Sequence, residues 1–291
     1  MERIGWIGTG VMGKSMCLHI LKKGYDVSVH NQTKEKTDDL CRQGAAWFDT
    51  PGDVAAQSDI VFTMVGEPAD VEQVVLGGGG ILERIRPGAV IVDMTTSEPS
   101  LAQRIYKEAK GKSVLSLDAP VSGGDVGARE GTLAIMVGGD DAVFKRVLPV
   151  FELMGKNIAR MGGPGMGQHT KMSNQILIAS TMIGVVESLL YAQRAGLDQA
   201  RVIDVIGKGA ASSWAINQLG PRIVKGDFSP GFYIRHFVKD MGIALLEARR
   251  MKLSLPGLAL VNQFYTAAMA EGLETHGTQA LYKVLDRMNR P

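Results

Sequence analysis

The 291 residues are 45% hydrophobic and 21% charged with a formal net charge of +2, the balance of a globular protein long enough for two cores. So even a charge, with no basic run interleaved with aromatics, argues against a nucleic-acid surface, and two cysteines, Cys17 and Cys41, are too few for a disulfide-stapled scaffold. The 36 glycines exceed the ~7% of an average protein and predict many tight turns near strands and ligands.

Arg3 to Ile7 reads as a short apolar strand, which leaves no room before it for a signal peptide and points to a reducing cytoplasm. Gly8-Thr9-Gly10-Val11-Met12-Gly13 follows at once, then a helical stretch from Lys14 to Lys23 that carries Cys17 in its apolar pattern, and a second strand from Tyr25 to His30. In that context the glycines have separate tasks. Gly8 permits the tight turn, Gly10 lets a pyrophosphate approach the backbone, and Gly13 lets helix and strand pack closely. The helix N-terminus adds unpaired N–H groups and the positive end of a dipole. A dinucleotide site is therefore expected here.

The residues ending the second strand select the cofactor. An acidic side chain there would bind the ribose 2′-hydroxyl and repel a 2′-phosphate, but the segment is His30-Asn31-Gln32-Thr33-Lys34-Glu35-Lys36, with no carboxylate before Glu35. Asn31, Gln32 and Thr33 are neutral donors, and Lys34 or Lys36 can meet a phosphate. NADP is favoured over NAD on this reading. A polar turn capping the next helix is the plainer reading and suits either cofactor.

Alternation continues with strands at Ile60 to Val65, Ala89 to Asp93, Val114 to Asp118, Leu133 to Val137 and Asn157 to Met161, and with a helix from Asp140 to Met154. The strand exits Met64-Val65-Gly66 and Met94-Thr95-Thr96-Ser97 should face the cofactor, because ligands gather at the carboxyl ends of parallel strands. One hydroxyl of the latter is expected to cap a helix starting near Glu98. The four glycines Gly77 to Gly80 read as a connection rather than a phosphate cradle. In Ala119-Pro120-Val121-Ser122-Gly123-Gly124 the serine hydroxyl and the glycine N–H groups suit a small carboxylate.

Gly162-Gly163-Pro164-Gly165-Met166-Gly167 cannot sustain regular structure by itself and marks a break. It puts the domains at residues 1–163 and 164–291. A helix of roughly two dozen residues, on the order of 40 Å, then runs to Arg194. Ile176 to Leu190 is apolar nearly all round, as in a buried helix. Ser180, Thr181, Glu187 and Ser188 within it argue against a membrane span. Lys171, Asn174 and Gln175, at i, i+3 and i+4, share one face near its start. Beyond it the pattern is helical throughout, with boundaries at Pro221, Pro230 and Pro256 and a short helix in the tail. In Ile234 to Met241 the plain account pairs His236 with Asp240 and leaves Lys239 solvated.

A nucleotide cofactor, a loop suited to a carboxylate, and a lysine beside two amides make one set. Hydride transfer to a carbonyl leaves charge on oxygen, so a proton donor must stand within hydrogen-bond reach. Lys171 serves as ammonium in reduction and as neutral amine in oxidation. Partial burial and a second cation at Lys239 are expected to make the amine less basic, with oxidation improving at alkaline pH. His19, His30, His169, His236 and His276 lack metal-ligand spacing, and no nucleophile elbow occurs.

These motifs resemble the β-hydroxyacid dehydrogenase family, which includes 3-hydroxyisobutyrate dehydrogenase, tartronate semialdehyde reductase and glyoxylate/succinic semialdehyde reductases, with 6-phosphogluconate dehydrogenase more distant. The resemblance spans the chain and rests on Gly8 to Gly13, on Asp118 to Gly124, on Gly165 to Gln175 and on Lys239-Asp240-Met241. It implies an α/β fold: a Rossmann-type doubly wound sheet, then an all-α domain entered through a long interdomain helix. By it Lys171 is catalytic, Ser122, Gly123 and Asn174 bind substrate, and Met64, Val65, Thr96 and Lys239 touch the cofactor; the residues themselves add Gly124 and Gln175 to the substrate side and Gly8, Thr9, Gly10, Val11, Met12, Gly13, Asn31, Gln32, Thr33 and Lys36 to the cofactor side. No metal is implied. Homodimers or homotetramers assembled through the helical half are. The Asn174-Gln175 pair, where many members carry two asparagines, is similar to the tartronate semialdehyde reductase version, and Gln32 stands where members preferring NADP often have arginine. Imine reduction on the same architecture, or a cofactor-binding scaffold whose enzymatic site has lapsed, are the competing readings.

Overall fold

A computed structural model describes residues 1–290. The chain forms two compact units, the first Met1–Lys171 and the second beginning at Met172.

The first unit is built on one sheet of nine strands: β1 (Ile4–Ile7), β2 (Val27–His30), β3 (Ala46–Trp47), β4 (Ile60–Thr63), β5 (Val90–Asp93), β6 (Leu115–Asp118), β7 (Val121–Ser122), β8 (Leu133–Gly139) and β9 (Gly155–Gly162). Their order is β3-β2-β1-β4-β5-β6-β8-β7, with β9 added on β8. The first six strands are parallel, β8 runs antiparallel to β6 and β7, and β9 is parallel to β8. The order 3-2-1-4-5-6 is that of a dinucleotide-binding sheet, whose chain reverses direction between β1 and β4 and opens a crevice at their carboxyl ends. All four residues of β1, of β4 and of β5 are buried, as expected for parallel strands covered on both faces. The core on one face joins Trp6, Ile20, Phe62, Val92 and Phe151, and on the other Val54, Val71, Ile91 and Ile105. Trp6 stacks on Phe62 with ring centroids 5.4 Å apart. Every strand foreseen from the sequence is present. β1, β2, β5 and β6 begin one or two residues later than expected and β4 ends two residues earlier, whereas β8 and β9 extend beyond their expected bounds.

Two expectations change in this unit. The N-cap of the helix Pro99–Gly111 is Glu98, without a side-chain cap, rather than a hydroxyl residue of the loop after β5. The Thr95 hydroxyl instead accepts a hydrogen bond from Val65 N at 3.0 Å. The break before the long helix is also shorter than its glycines suggest, since the helix runs Met166–Arg194 and so includes Gly167. The Asp118 carboxylate makes this possible by accepting from Gly165 N and Gln168 N, both at 2.8 Å, so a strand end supplies the cap that the local sequence lacks.

The second unit is helical: Gln199–Ile206, Gly220–Val224, Ile234–Arg250, Pro256–Ala270 and Leu281–Met288 pack with the remainder of the long helix. Ala215–Leu219 is a π-helical turn. Met182, Val186, Leu189, Phe237, Met241 and Tyr265 belong to its core, with Phe237 and Tyr265 edge to face at 5.0 Å. The long helix is less buried than its composition implied. Leu177 and Tyr191 are 69% and 76% exposed, because an apolar sequence states how many sides can be covered, not how many neighbours arrive. By length and composition this helix would also qualify to cross a membrane, a test that core helices pass as well.

Candidate active site

The turn after β1 is shaped by contacts that only glycine allows. Gly8 has φ +95°, and a Cβ there would strike the carbonyl of Met64 at the end of β4. A Cβ on Gly13, in the first turn of helix Val11–Lys22, would strike the carbonyl of Gly8, which also accepts from the Trp6 indole N–H at 2.9 Å. Gly10 differs: nothing lies within 4 Å of the Cβ it lacks. Two glycines thus serve packing and the third keeps an approach open, at a helix N-terminus with neither a side-chain cap nor an acidic residue in its first turn. The Thr9 hydroxyl is buried without a partner among the described residues. Open space, uncapped N–H groups and an orphaned hydroxyl at one place fit the pyrophosphate of a dinucleotide.

Asn31 follows β2 and is committed to the loop itself. Its Oδ1 accepts from Thr9 N at 2.9 Å and its Nδ2 donates to Thr33 O at 2.8 Å. Gln32, Thr33 and Lys36 are exposed. Lys34 sits over the Trp47 ring, 3.8 Å from the centroid.

Met64 and Val65 leave β4 beside this turn, and Thr96 leaves β5. Thr95, next to Thr96, is fixed from several sides. Its N–H donates to Asp93 Oδ1 at 3.1 Å, and the Thr63 hydroxyl donates to the same oxygen at 2.8 Å. Asp93 is 4% exposed, and burial pushes its carboxyl up to about 6 against the lowering effect of these bonds. From the other side Gln168, fully buried, donates Nε2–H to Thr95 O at 2.7 Å and accepts from Ser97 N at 3.0 Å. Asp118 is raised by burial too, opposed by the N–H groups of Gly165 and Gln168.

Lys171 is 6% exposed, and its amine donates to Val121 O at 2.8 Å. The acceptor precedes Ser122, so the amine lies at the loop read as carboxylate-binding. Gly123 and Gly124 have φ +136° and +63° and open the short helix Gly124–Glu130 without a side-chain cap.

The second unit gathers its own polar group. Asn174 Nδ2 donates to Gln175 Oε1 at 2.7 Å, and Gln175 Nε2 donates to Asp240 Oδ2 at 2.6 Å. Lys239 Nζ stands 3.3 Å from Asp240 Oδ1, with only 12% of its side chain exposed. The solvated Lys239 of the plain sequence account is therefore corrected: its helix turns it inward, where Asp240 offers a counter-charge. His236 stacks with Phe232 at 6.4 Å between centroids, and burial holds its imidazole below the usual range, aided by Lys239 and Arg235 and opposed by Asp240.

Sequence reasoning did not single out Gln168 or Asp93, and it placed Thr95 only within the strand exit expected to face the cofactor. A signal was present for the first: a glutamine three residues before a buried lysine, on a mostly apolar helix, must find both a donor and an acceptor.

Sheet order, glycine turn and polar strand ends define a dinucleotide-binding unit, followed in the chain by a helical one. Residues 3–163 match the family described as the NAD binding domain of 6-phosphogluconate dehydrogenase, and residues 165–285 that described as NAD-binding of NADP-dependent 3-hydroxyisobutyrate dehydrogenase. A probable mitochondrial 3-hydroxyisobutyrate dehydrogenase-like protein of Arabidopsis thaliana is 54% identical over 99% of this chain and 86% of its own. The 2-hydroxy-3-oxopropionate reductase of Escherichia coli is 40% identical over 98% of each chain. The solved structure of Mycobacterium tuberculosis 3-hydroxyisobutyrate dehydrogenase with L-serine is 28% identical and superposes at a TM-score of 0.90, covering 98% of this chain and 99% of its own. This chain belongs to the β-hydroxyacid dehydrogenase family and is an NAD(P)-dependent oxidoreductase.

Proposed function

We propose that the protein interconverts a small 3-hydroxy acid and its semialdehyde, with Lys171 as general acid and base. The observation carrying this reading is the buried Lys171 amine, hydrogen-bonded at 2.8 Å to the carbonyl of Val121 in the residue before Ser122. That bond holds the amine at the loop. As ammonium it protonates the alkoxide formed in reduction, and as neutral amine it takes the hydroxyl proton in oxidation, so oxidation rises with pH as the neutral fraction grows. Ser122 and the N–H groups of Gly123 and Gly124 hold the substrate carboxylate, while Asn174 and Gln175 orient the hydroxyl. The nicotinamide supplies or accepts the hydride.

Gly8 to Gly13 hold the pyrophosphate, with Val11 and Met12 contributing helix N–H groups. Met64, Val65, Thr96 and Lys239 position the nicotinamide end. Gln32, Thr33 and Lys36 meet the adenosine ribose, with Asn31 setting their turn. NADP remains the favoured cofactor because no carboxylate ends β2, and Lys36 is exposed there. In this reading residues 1–163 hold the cofactor and residues 164–291 contribute substrate groups and the surface of a homodimer or homotetramer. Exposed Leu177, Tyr191, Val205 and Leu260 suit such a surface. A cytoplasmic location agrees with the two free cysteines.

The test is Lys171→Ala, assayed in both directions with both cofactors on 3-hydroxyisobutyrate, glycerate, 4-hydroxybutyrate and serine, and on glyoxylate and the succinic and tartronate semialdehydes. Turnover should fall by about two to four decades while cofactor still binds. Retained turnover removes the assigned role.

A further inference from the structure

We propose that Gln168 is a positioning residue whose side-chain amide clamps the loop after β5 to the helical turn that carries Lys171. The inference rests on the reading of Lys171 as acid and base. Gln168 grips Thr95 O and Ser97 N, at 2.7 and 3.0 Å, which leaves Thr96 as the one residue spanned. A planar amide that both donates and accepts across a single residue behaves like one rung of a sheet ladder, fixing the backbone on either side of Thr96. Because Gln168 is fully buried, both bonds are shielded from water and strengthened by the low local dielectric.

The same residue is held from behind. Its own N–H, with that of Gly165, goes to Asp118 at the end of β6. Three residues on, Lys171 reaches Val121 O, in the segment that continues from β6. Thr95 is tied in turn to β4, through Val65 N, and to Asp93. The carboxyl ends of three neighbouring strands and one helical turn therefore share a single set of bonds, with Gln168 the member joining loop to helix. Positions three apart on a helix lie on the same face, so the clamp and the amine move as one body. A displacement of about 1 Å in such a placement can cost 10²-fold in rate.

The test compares full-length wild type with Gln168→Met, which keeps the length of the side chain and removes both bonds. In cofactor-free protein, amide exchange at Ser97 and its neighbours should rise at least tenfold, while the central strands stay protected. In turnover, kcat should fall about 10- to 100-fold. The primary isotope effect with 4-deuterated reduced cofactor should increase, because a misplaced loop slows the hydride step selectively. Gln168→Glu keeps the acceptor for Ser97 N–H but sets a carboxylate against Thr95 O, and is read by the same measurements if the first variant does not fold. Unchanged exchange in this segment, or a loss of kcat that only follows the folded fraction with the isotope effect unaltered, overturns the proposal. A wild type inactive on every hydroxy acid and semialdehyde, or an active Lys171→Ala, defeats the functional reading instead, and the exchange experiment separates the two.

Discussion

Asp118 in the first unit and Asp240 in the second are both nearly inaccessible, at 5% and 1% exposure, but their surroundings differ in kind. Asp118 is held by main-chain N–H groups that begin the long helix. Asp240 is held by side chains, the amide of Gln175 and the ammonium of Lys239. A carboxylate satisfied by main chain fixes where a segment starts. One satisfied by side chains fixes which way those side chains face. The first unit uses its buried acids to place backbone, and the second uses its acid to orient functional groups.

Replacing Asp118 by Ala is the strongest way to break this contrast. It strands buried N–H groups worth roughly 1 to 3 kcal/mol each, so a loss of about 4 kcal/mol is expected in denaturant unfolding. A much smaller loss would mean that the helix caps itself.

Asp93→Asn sharpens the comparison through pH. The native carboxyl titrates near 6 rather than at the ordinary 3.8, so between those values the folded state binds more protons than the unfolded one. The stability of the wild type due to this group is greatest below pH ~4, declines as pH rises through 6 and then levels. The variant lacks that decline. Its stability relative to wild type should grow by up to about 3 kcal/mol across the interval and stay constant above pH ~7, as measured by urea unfolding at each pH. A flat difference would show that Asp93 is not strained by burial.

Asp240→Asn preserves an acceptor for Gln175 and removes the charge beside Lys239. About 2 kcal/mol should be lost, below the 3 to 5 kcal/mol of a fully enclosed broken pair, because Lys239 keeps some access to water. A larger loss here than at Asp118 would invert the comparison. The smallest effect is expected for Gly10→Ala, where a Cβ meets open space. Thermal stability should stay within about 0.5 kcal/mol of wild type, while the cofactor Kd weakens about tenfold, or ~1.4 kcal/mol, by fluorescence titration.

Much of the first unit was legible in the sequence because its signals are local. A glycine turn between a strand and a helix, and apolar runs ending in hydroxyl-rich or glycine-rich exits, each announce themselves over a few residues. Lys171 stood out because a cation near the start of an apolar helix needs an explanation. Gln168 was passed over because a polar residue at a helix start looks like a surface residue until its neighbours are known. The plain account left Lys239 solvated, although the resemblance had it bind cofactor, since the helical pattern around it does not tell that Asp240 turns inward.

The sequence by itself determined the alternation of strands and helices and the open glycine turn after the first strand, because each depends on backbone freedom or periodicity within a short window. Tertiary structure alone decided that Asp118 caps a helix 47 residues further on, that Gln168 spans Thr96, and that Gln175 and Asp240 meet across 65 residues. Those bonds join groups whose separation along the chain carries no information about their separation in space.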